Sequence, residues 1–260
     1  SNTIMEKIKF LVIHNRDPKR KEVLVNELIN NGVIIEDIEF IEYPNKDELT
    51  FKIKKLSVQK KSMRHNYSFP NITGTIKDGW ICVSYKHFLA LEKIVENNYK
   101  YAVIIEDNVG KIKKNIIETL HECLKQLPKN WDVVFDSTRA HSYEFIKEGK
   151  LSNEKIVYEK KLGYSYNENG KIVAGGGTKS AQFFLLNQSS AKKLYENYLP
   201  FNHAPDVWMN ELFRYLNFKC FWIEPSITEN RKNHSSSTNF ESKNFIYQIK
   251  SKIINRILFI

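Results

Sequence analysis

Glu106, Asp107 and Asn108 stand side by side directly after the apolar run Tyr101-Ala102-Val103-Ile104-Ile105. Two carboxylates and a carboxamide offer hard oxygen ligands, the type that holds Mg²⁺ or Mn²⁺ against a diphosphate. The apolar run reads as a strand buried on both faces, as in a parallel sheet covered by helices. Open sheets of that kind bind ligands beyond the carboxyl ends of their strands, which is where these three residues would lie. A strand followed by a solvated polar turn has the same pattern, and short acidic motifs also arise by chance. Gly175-Gly176-Gly177 permits unusual backbone angles and close approach of a ligand, or a flexible hinge.

The elements that must position the acidic cluster alternate along the chain. Ile8 to Ile13 predicts an opening strand, His14 to Lys19 a polar loop carrying Pro18, and Arg20 to Asn31 a helix ended by Gly32. Val33 to Tyr43 can supply a second strand, and Asn45 to Asn71 is charged and weakly periodic, hence irregular or lid-like. Cys82 to Asn98 carries apolar residues at helical spacing and leads straight into the Tyr101 strand. Ile112 to Gln126 predicts a helix stopped at Pro128, Trp131 to Phe135 a short buried strand, and Ser142 to Lys171 a polar excursion over the surface. The run Ala181 to Leu186, helices over Ser189 to Tyr198 and Val207 to Leu216, and a strand at Cys220 to Ile223 complete the order. Strand and helix in alternation predict an α/β fold.

Length and composition agree with a single elaborated domain. The 260 residues are 42% hydrophobic and 13% aromatic, enough to bury a large core. A formal net charge of +10 favours anionic partners. Nucleic acid is disfavoured among them, because the basic residues are scattered and no zinc-finger or RNP-type motif accompanies them. Cys82, Cys123 and Cys220 are odd in number and far apart, so neither a disulfide framework nor a structural zinc site is expected, and a reducing compartment is. With no apolar signal core before Ile8 and no run long enough to cross a bilayer, a cytoplasmic protein is expected. The segment Phe245 to Ile260 alternates Ile and Leu with Lys250, Lys252 and Arg256, as a basic amphipathic helix would. Such a helix can lie peripherally on the inner face of an anionic membrane, pack on its own domain, or join a homodimer.

Three stretches together resemble glycosyltransferase family 25, the lipooligosaccharide and collagen galactosyltransferase group. The strongest is Gly79 to Val109, where His87, Ala90, Leu91, Ile94 and the closing IIEDNV are similar to a Ser-His helix feeding a strand that ends in Glu-Asp-Asp. The second is the opening VIHNRDPKRKE, and the third GTKSAQFFLLNQSSAKKL followed by LPFNHAPDVWMNEL. Three departures stand out: Lys86 where the family usually has Ser, His14 near a usual Asn, and Asn108 in place of the final Asp.

The resemblance implies a GT-A-like single domain over residues 1–240, with a mostly parallel central sheet flanked by helices and the basic helix at 241–260 beyond it. It also implies an inverting hexosyltransferase that takes galactose or glucose from a UDP-sugar and passes it to a glycan, lipid-linked or protein-linked acceptor. Mn²⁺ or Mg²⁺ at Asp107 and Asn108, with His234 as a late ligand, would neutralise the departing diphosphate. Glu106, Asp107, Arg16, Lys19 and Arg20 are the residues expected to hold the nucleotide. The acceptor hydroxyl needs a base: Asp206 in His-Ala-Pro-Asp-Val-Trp is the first choice and Asp136 the second, with Trp208 able to stack on a sugar face. Asp206 could equally cap the Val207 helix. The alternative is a non-catalytic or weakened glycan or nucleotide-binding domain on the same scaffold, for which Asn108 is the sequence support.

Overall fold

The computed structural model describes residues 6–57, 76–112, 115–136, 154–159, 163–166, 172–175 and 181–229. In chain order the elements are β1 (Ile8–Ile13), α1 (Pro18–Asn30), β2 (Ile38–Ile41), α2 (Phe51–Lys55), α3 (Asp78–Glu96), β3 (Tyr101–Glu106), α4 (Ile116–Gln126) and β4 (Val133–Asp136). After them come β5 (Val157–Glu159), β6 (Gly163–Tyr166), β7 (Ile172–Gly175), β8 (Phe183–Asn187), α5 (Gln188–Tyr198), α6 (Pro205–Tyr215) and β9 (Cys220–Ile223).

Seven strands form one sheet in the order β2-β1-β3-β8-β4-β9-β5, while β6 and β7 pair apart from it. β2, β1, β3, β4 and β9 run in one direction; β8 and β5 oppose them. The sheet is therefore mostly parallel in sense, as expected, with β8 inserted antiparallel at its centre. That reversal brings the start of β8 beside the carboxyl end of β3, where the Glu106 N–H donates to the Gln182 carbonyl at 2.9 Å.

Period-two alternation sends side chains of every central strand to both faces. Leu11, Ile104, Phe135, Phe184 and Trp222 pack on one face under α3, α5 and α6. Phe10, Val103, Ile105, Val134 and Leu185 pack on the other under α1 and α4. Ala102 to Ile105 are fully buried, which is the two-sided burial that the run predicts.

Several boundaries move for local reasons. α1 begins at Pro18 rather than Arg20, because Asp17 accepts the Lys19 and Arg20 N–H groups and Pro18 needs no donor in the first turn. α4 begins at Ile116 rather than Ile112, with Asn115 as its cap. The second strand shrinks to Ile38–Ile41 behind a single 3₁₀ turn at Ile35–Asp37. The lid-like expectation for Asn45 onward is corrected as far as Ser57: Asn45 and Glu48 form a capping box, α2 follows, and Ser57 bridges to Phe201. The surface excursion is corrected too, since Val157 and Tyr158 are buried in the edge strand β5. Gly175 ends β7, whereas Gly176, Gly177 and the segment 241–260 lie outside the described residues. No described helix is long and apolar enough to cross a membrane.

Gly32 closes α1 at φ +95°, and a Cβ there would meet the Asn115 side-chain oxygen at 2.9 Å. That oxygen caps α4 by accepting the Glu118 N–H. Gly32→Ala is therefore expected to lower stability by about 2 kcal/mol, combining a left-handed backbone strain with a disturbed cap. Urea unfolding measures it, with an unchanged slope and a lower midpoint.

Candidate functional site

The carboxyl ends of β1 and β3 converge on a loop, His14 to Asp17, whose backbone is held almost wholly by side chains. Arg16 adopts φ 68°, and its N–H donates to His14 Nδ1 at 2.9 Å. The Asp17 N–H donates to Asn15 Oδ1 at 3.1 Å, and His14 Nε2 donates to the Asp17 carbonyl at 3.1 Å. From β3, the Asp107 carboxylate accepts the Asn15 N–H at 3.2 Å, and from α1 it receives Arg20 Nη1 at 3.3 Å. From α3, Lys86 donates to the His14 carbonyl at 2.6 Å. The end of β3, α1 and α3 thus fix one short loop.

The basic residues expected at the nucleotide part company here. Arg20 turns inward to Asp107, while Arg16 reaches the Glu48 carboxylate at 2.9 Å and stays exposed. Lys19 is exposed on the first turn of α1. The cost of an Arg in that turn is met by the Asp17 cap, whose carboxylate the Arg20 and Lys19 N–H groups hold below its usual range.

Glu106 faces α3. His87 is fully buried, stacks on Phe184 at 5.8 Å, and donates from Nε2 to the Glu106 carboxylate at 3.1 Å. Next to it the Asn108 side-chain oxygen accepts from Gln182 Nε2 at 2.8 Å. Asp206 lies in the first turn of α6, where Ala204 is the cap, so the capping role expected for Asp206 is corrected. Pro205 opens the helix two residues earlier than the pattern Val207 to Leu216 indicates. Burial pushes the Asp206 carboxyl up to about 6; the Val207 N–H opposes the shift and the charge of Glu106 adds to it. The two carboxylates are therefore electrostatic neighbours, although 100 residues separate them in sequence.

Two expectations are corrected by packing. Trp208 is fully buried and donates to the Tyr198 carbonyl at 2.9 Å, so it is a core residue and no sugar platform. Asp136 accepts from Ser226 Oγ at 3.0 Å, Ile227 N–H at 2.9 Å and Thr228 N–H at 3.0 Å. Its carboxylate clamps the turn after β9, and a carboxylate already receiving those donors is poorly placed to take a proton from a hydroxyl. His234 lies outside the described residues. Lys86 and Gln182 were not among the expected site residues. The signal for Lys86 was present: with Cys82 and Ala90 it occupies an i, i+4, i+8 stripe that is buried throughout. Gln182 has no such signal, because its place depends on the direction of β8.

The sequence matches the model of Glycosyltransferase family 25 (LPS biosynthesis protein) over residues 7–209. The chain belongs to glycosyltransferase family 25. It carries a glycosyltransferase domain of that family through β1, α3, β3 and the start of α6, the segments that hold Asp107, Glu106 and Asp206. No curated protein matches it. Among solved structures it is similar to the crystal structure of mouse Xyloside xylosyltransferase 1 in its apo form, at 15% identity and a TM-score of 0.31. That likeness covers 82% of this chain and 63% of the other, so this chain spans less than two thirds of that protein's length.

The divalent cation that the family resemblance implies meets an incomplete donor set in this family 25 domain. Among the described residues no three His, Cys, Asp or Glu side chains converge on one point. Asp107 is engaged by Arg20 and Asn15, Glu106 by His87, and Asn108 is neutral and bonded to Gln182. The described residues do not by themselves fit Mn²⁺ or Mg²⁺.

Asp107 is 9% exposed at its side chain and Arg20 12%. Asp107→Ala removes one acceptor of the half-buried Arg20 guanidinium and that of the Asn15 N–H, an expected loss of about 3 kcal/mol. The variant should melt well below the parent in a thermal scan, so any loss of activity must be read beside its folded fraction.

Proposed function

We propose that this chain transfers a hexose, galactose or glucose, from a UDP-sugar to a glycan-type acceptor, lipid-linked or protein-linked, with inversion at the anomeric carbon. The observation that carries the reading is the match to the family over residues 7–209; it includes Asp206, whose carboxyl burial pushes up to about 6. A base poised near neutrality combines a high fraction of the ionised form with useful proton affinity.

In this reading Asp206 takes the acceptor hydroxyl proton as the oxygen attacks the anomeric carbon. The bond from that carbon to the diphosphate breaks on the opposite face, and the electron pair leaves with the phosphate oxygen. Arg20, braced by Asp107, and exposed Arg16 and Lys19 are the cations assigned to the nucleotide. His87 has a positioning role: its N–H holds the Glu106 carboxylate, whose charge helps to raise Asp206. Mn²⁺ or Mg²⁺ would join only with ligands beyond the described residues, His234 first among them. The basic segment 245–260 supports a cytoplasmic protein held at the inner face of a membrane, or a homodimer; nucleic acid is not among the partners proposed. The second reading, a binding domain without turnover, is favoured by one observation: Asn108 lacks charge and its oxygen is taken by Gln182.

Calorimetric titration with UDP, UDP-galactose and UDP-glucose, in Mn²⁺ and in EDTA, tests the donor assignment. Binding of a UDP-sugar followed by hexose transfer in an acceptor screen is the expected result; binding without transfer favours the second reading, and no binding removes both.

Asp206 also makes a pH prediction. Its folded value of about 6 lies above the ordinary 3.8, so the native state holds a proton that the unfolded chain has lost between those values. That contribution to stability is present at low pH and vanishes as pH rises through about 6. Asp206→Asn should therefore raise Tm relative to the parent at pH 8 but not at pH 4. It should also lower kcat by about 10²- to 10⁴-fold with UDP affinity nearly unchanged, while the parent's kcat/KM rises with pH through about 6. A variant that binds and turns over like the parent would remove Asp206 from the chemistry.

A further inference from the structure

α3 buries a lysine against the sheet. Lys86 is 3% exposed, and its ammonium donates to two oxygens, the His14 carbonyl at 2.6 Å and Asn45 Oδ1 at 3.0 Å. Both are uncharged. No carboxylate among the described residues lies within ion-pair distance of it; Asp107 and Glu48 act on it only at longer range, and burial pulls its pKa down. An ammonium carries three donors, and two of them meet acceptors among the described residues. Removing such a charge from water is expensive unless an anion answers it.

The place of this charge gives it a use. Lys86 lies behind the His14 to Asp17 loop, at the end of the parallel strands where Arg20 and Asp107 meet. The N–H groups of Asn15, Arg16 and Asp17 are all taken within the protein. These loop amides have no donor left for a phosphate, so positive charge there must come from side chains. Arg16 is turned to Glu48 and Arg20 is partly neutralised by Asp107. Lys86 is the cation of this cluster whose described contacts are all neutral.

We propose that Lys86 is the buried counter-charge for the diphosphate of a nucleoside-diphosphate donor, acting through the loop it holds by the His14 carbonyl. This rests on the donor reading above and adds to it the residue that answers the phosphate charge. Lys86 is a positioning residue: it fixes the loop and supplies a field, and it forms no bond in the reaction.

The test compares a charged with an uncharged ligand of the same nucleoside. Lys86→Met keeps length and apolar volume and removes the charge. It is expected to raise the Kd for UDP at least tenfold, flatten the salt dependence of UDP binding, and leave the Kd for uridine within about twofold. Asn45→Asp is the second variant, should Lys86→Met fold poorly. It sets a carboxylate beside the ammonium, which pairs the buried charge, so it should raise Tm and weaken UDP while sparing uridine. Equal weakening of UDP and uridine would reduce Lys86 to a loop support and overturn the proposal. Unchanged UDP affinity in a folded variant would also overturn it and leave the donor reading standing. A parent protein that binds neither UDP nor a UDP-sugar would overturn both.

Discussion

The Asp107 carboxylate joins the end of β3 to the loop after β1 and the first turn of α1, whose Asn15 and Arg20 lie 92 and 87 residues earlier in the chain. β1 and β3 are paired in register from Ile8 with Tyr101 to Ile13 with Glu106, so the residue after Glu106 emerges beside the residue after Ile13. The Asp107 N–H completes that ladder on the Ile13 carbonyl at 3.0 Å. Its side chain is thereby committed to face the loop, and a carboxylate so placed must find donors. Asn15 and Arg20 provide them. Sheet register thus decides where the site's cations stand, and α1 is oriented by the same contact that orders the loop.

Two ionisable groups near this point are held away from the states water would favour. Asp206 is raised by burial and by Glu106, and Lys86 is lowered by burial. Each lowers stability at neutral pH, and neither is relieved by a direct opposite charge in the described structure. Cores normally exclude such groups or pair them. Both stand at the edge of the sheet that also holds the left-handed Arg16. Strain and unpaired charge gathered where strands end are what a site for an anionic ligand would require.

The strands were readable from sequence wherever burial is two-sided, because Ile8 to Ile13 and Tyr101 to Ile105 place apolar residues on both faces. Helix starts were less so: Pro18 and Pro205 open their helices two residues before the apolar pattern does, and a cap or a first-turn proline leaves no mark on periodicity. Residues 157 and 158 joined the sheet as an edge strand, a pairing that depends on β9, some 60 residues later. In the site, Glu106 and Asp107 were legible as a cluster, but their separate employments were not. One side chain faces α3 and the other faces α1, as alternation along a strand dictates. Asp136 looked equivalent to Asp206 at the level of residue type; only the turn at 226–228, which delivers Ser226, Ile227 and Thr228 to it, separates them.

The neutral Asn108 and the buried Lys86 bear on one quantity, the net charge that meets a diphosphate. A carboxylate at 108 would add negative charge to an edge that already holds Glu106, Asp107 and Asp206, and would need a cation to be tolerated. Asn108 instead bonds to Gln182, a residue present because β8 runs against its neighbours. The edge then carries less negative charge than four acids would give it, while α3 contributes a positive charge through Lys86. Both changes shift the balance toward anion binding by fixed protein groups. The antiparallel strand at the centre of the sheet is the structural condition for this balance, since it brings to Asn108 a neutral partner at the place where two parallel strands would have left their carboxyl ends.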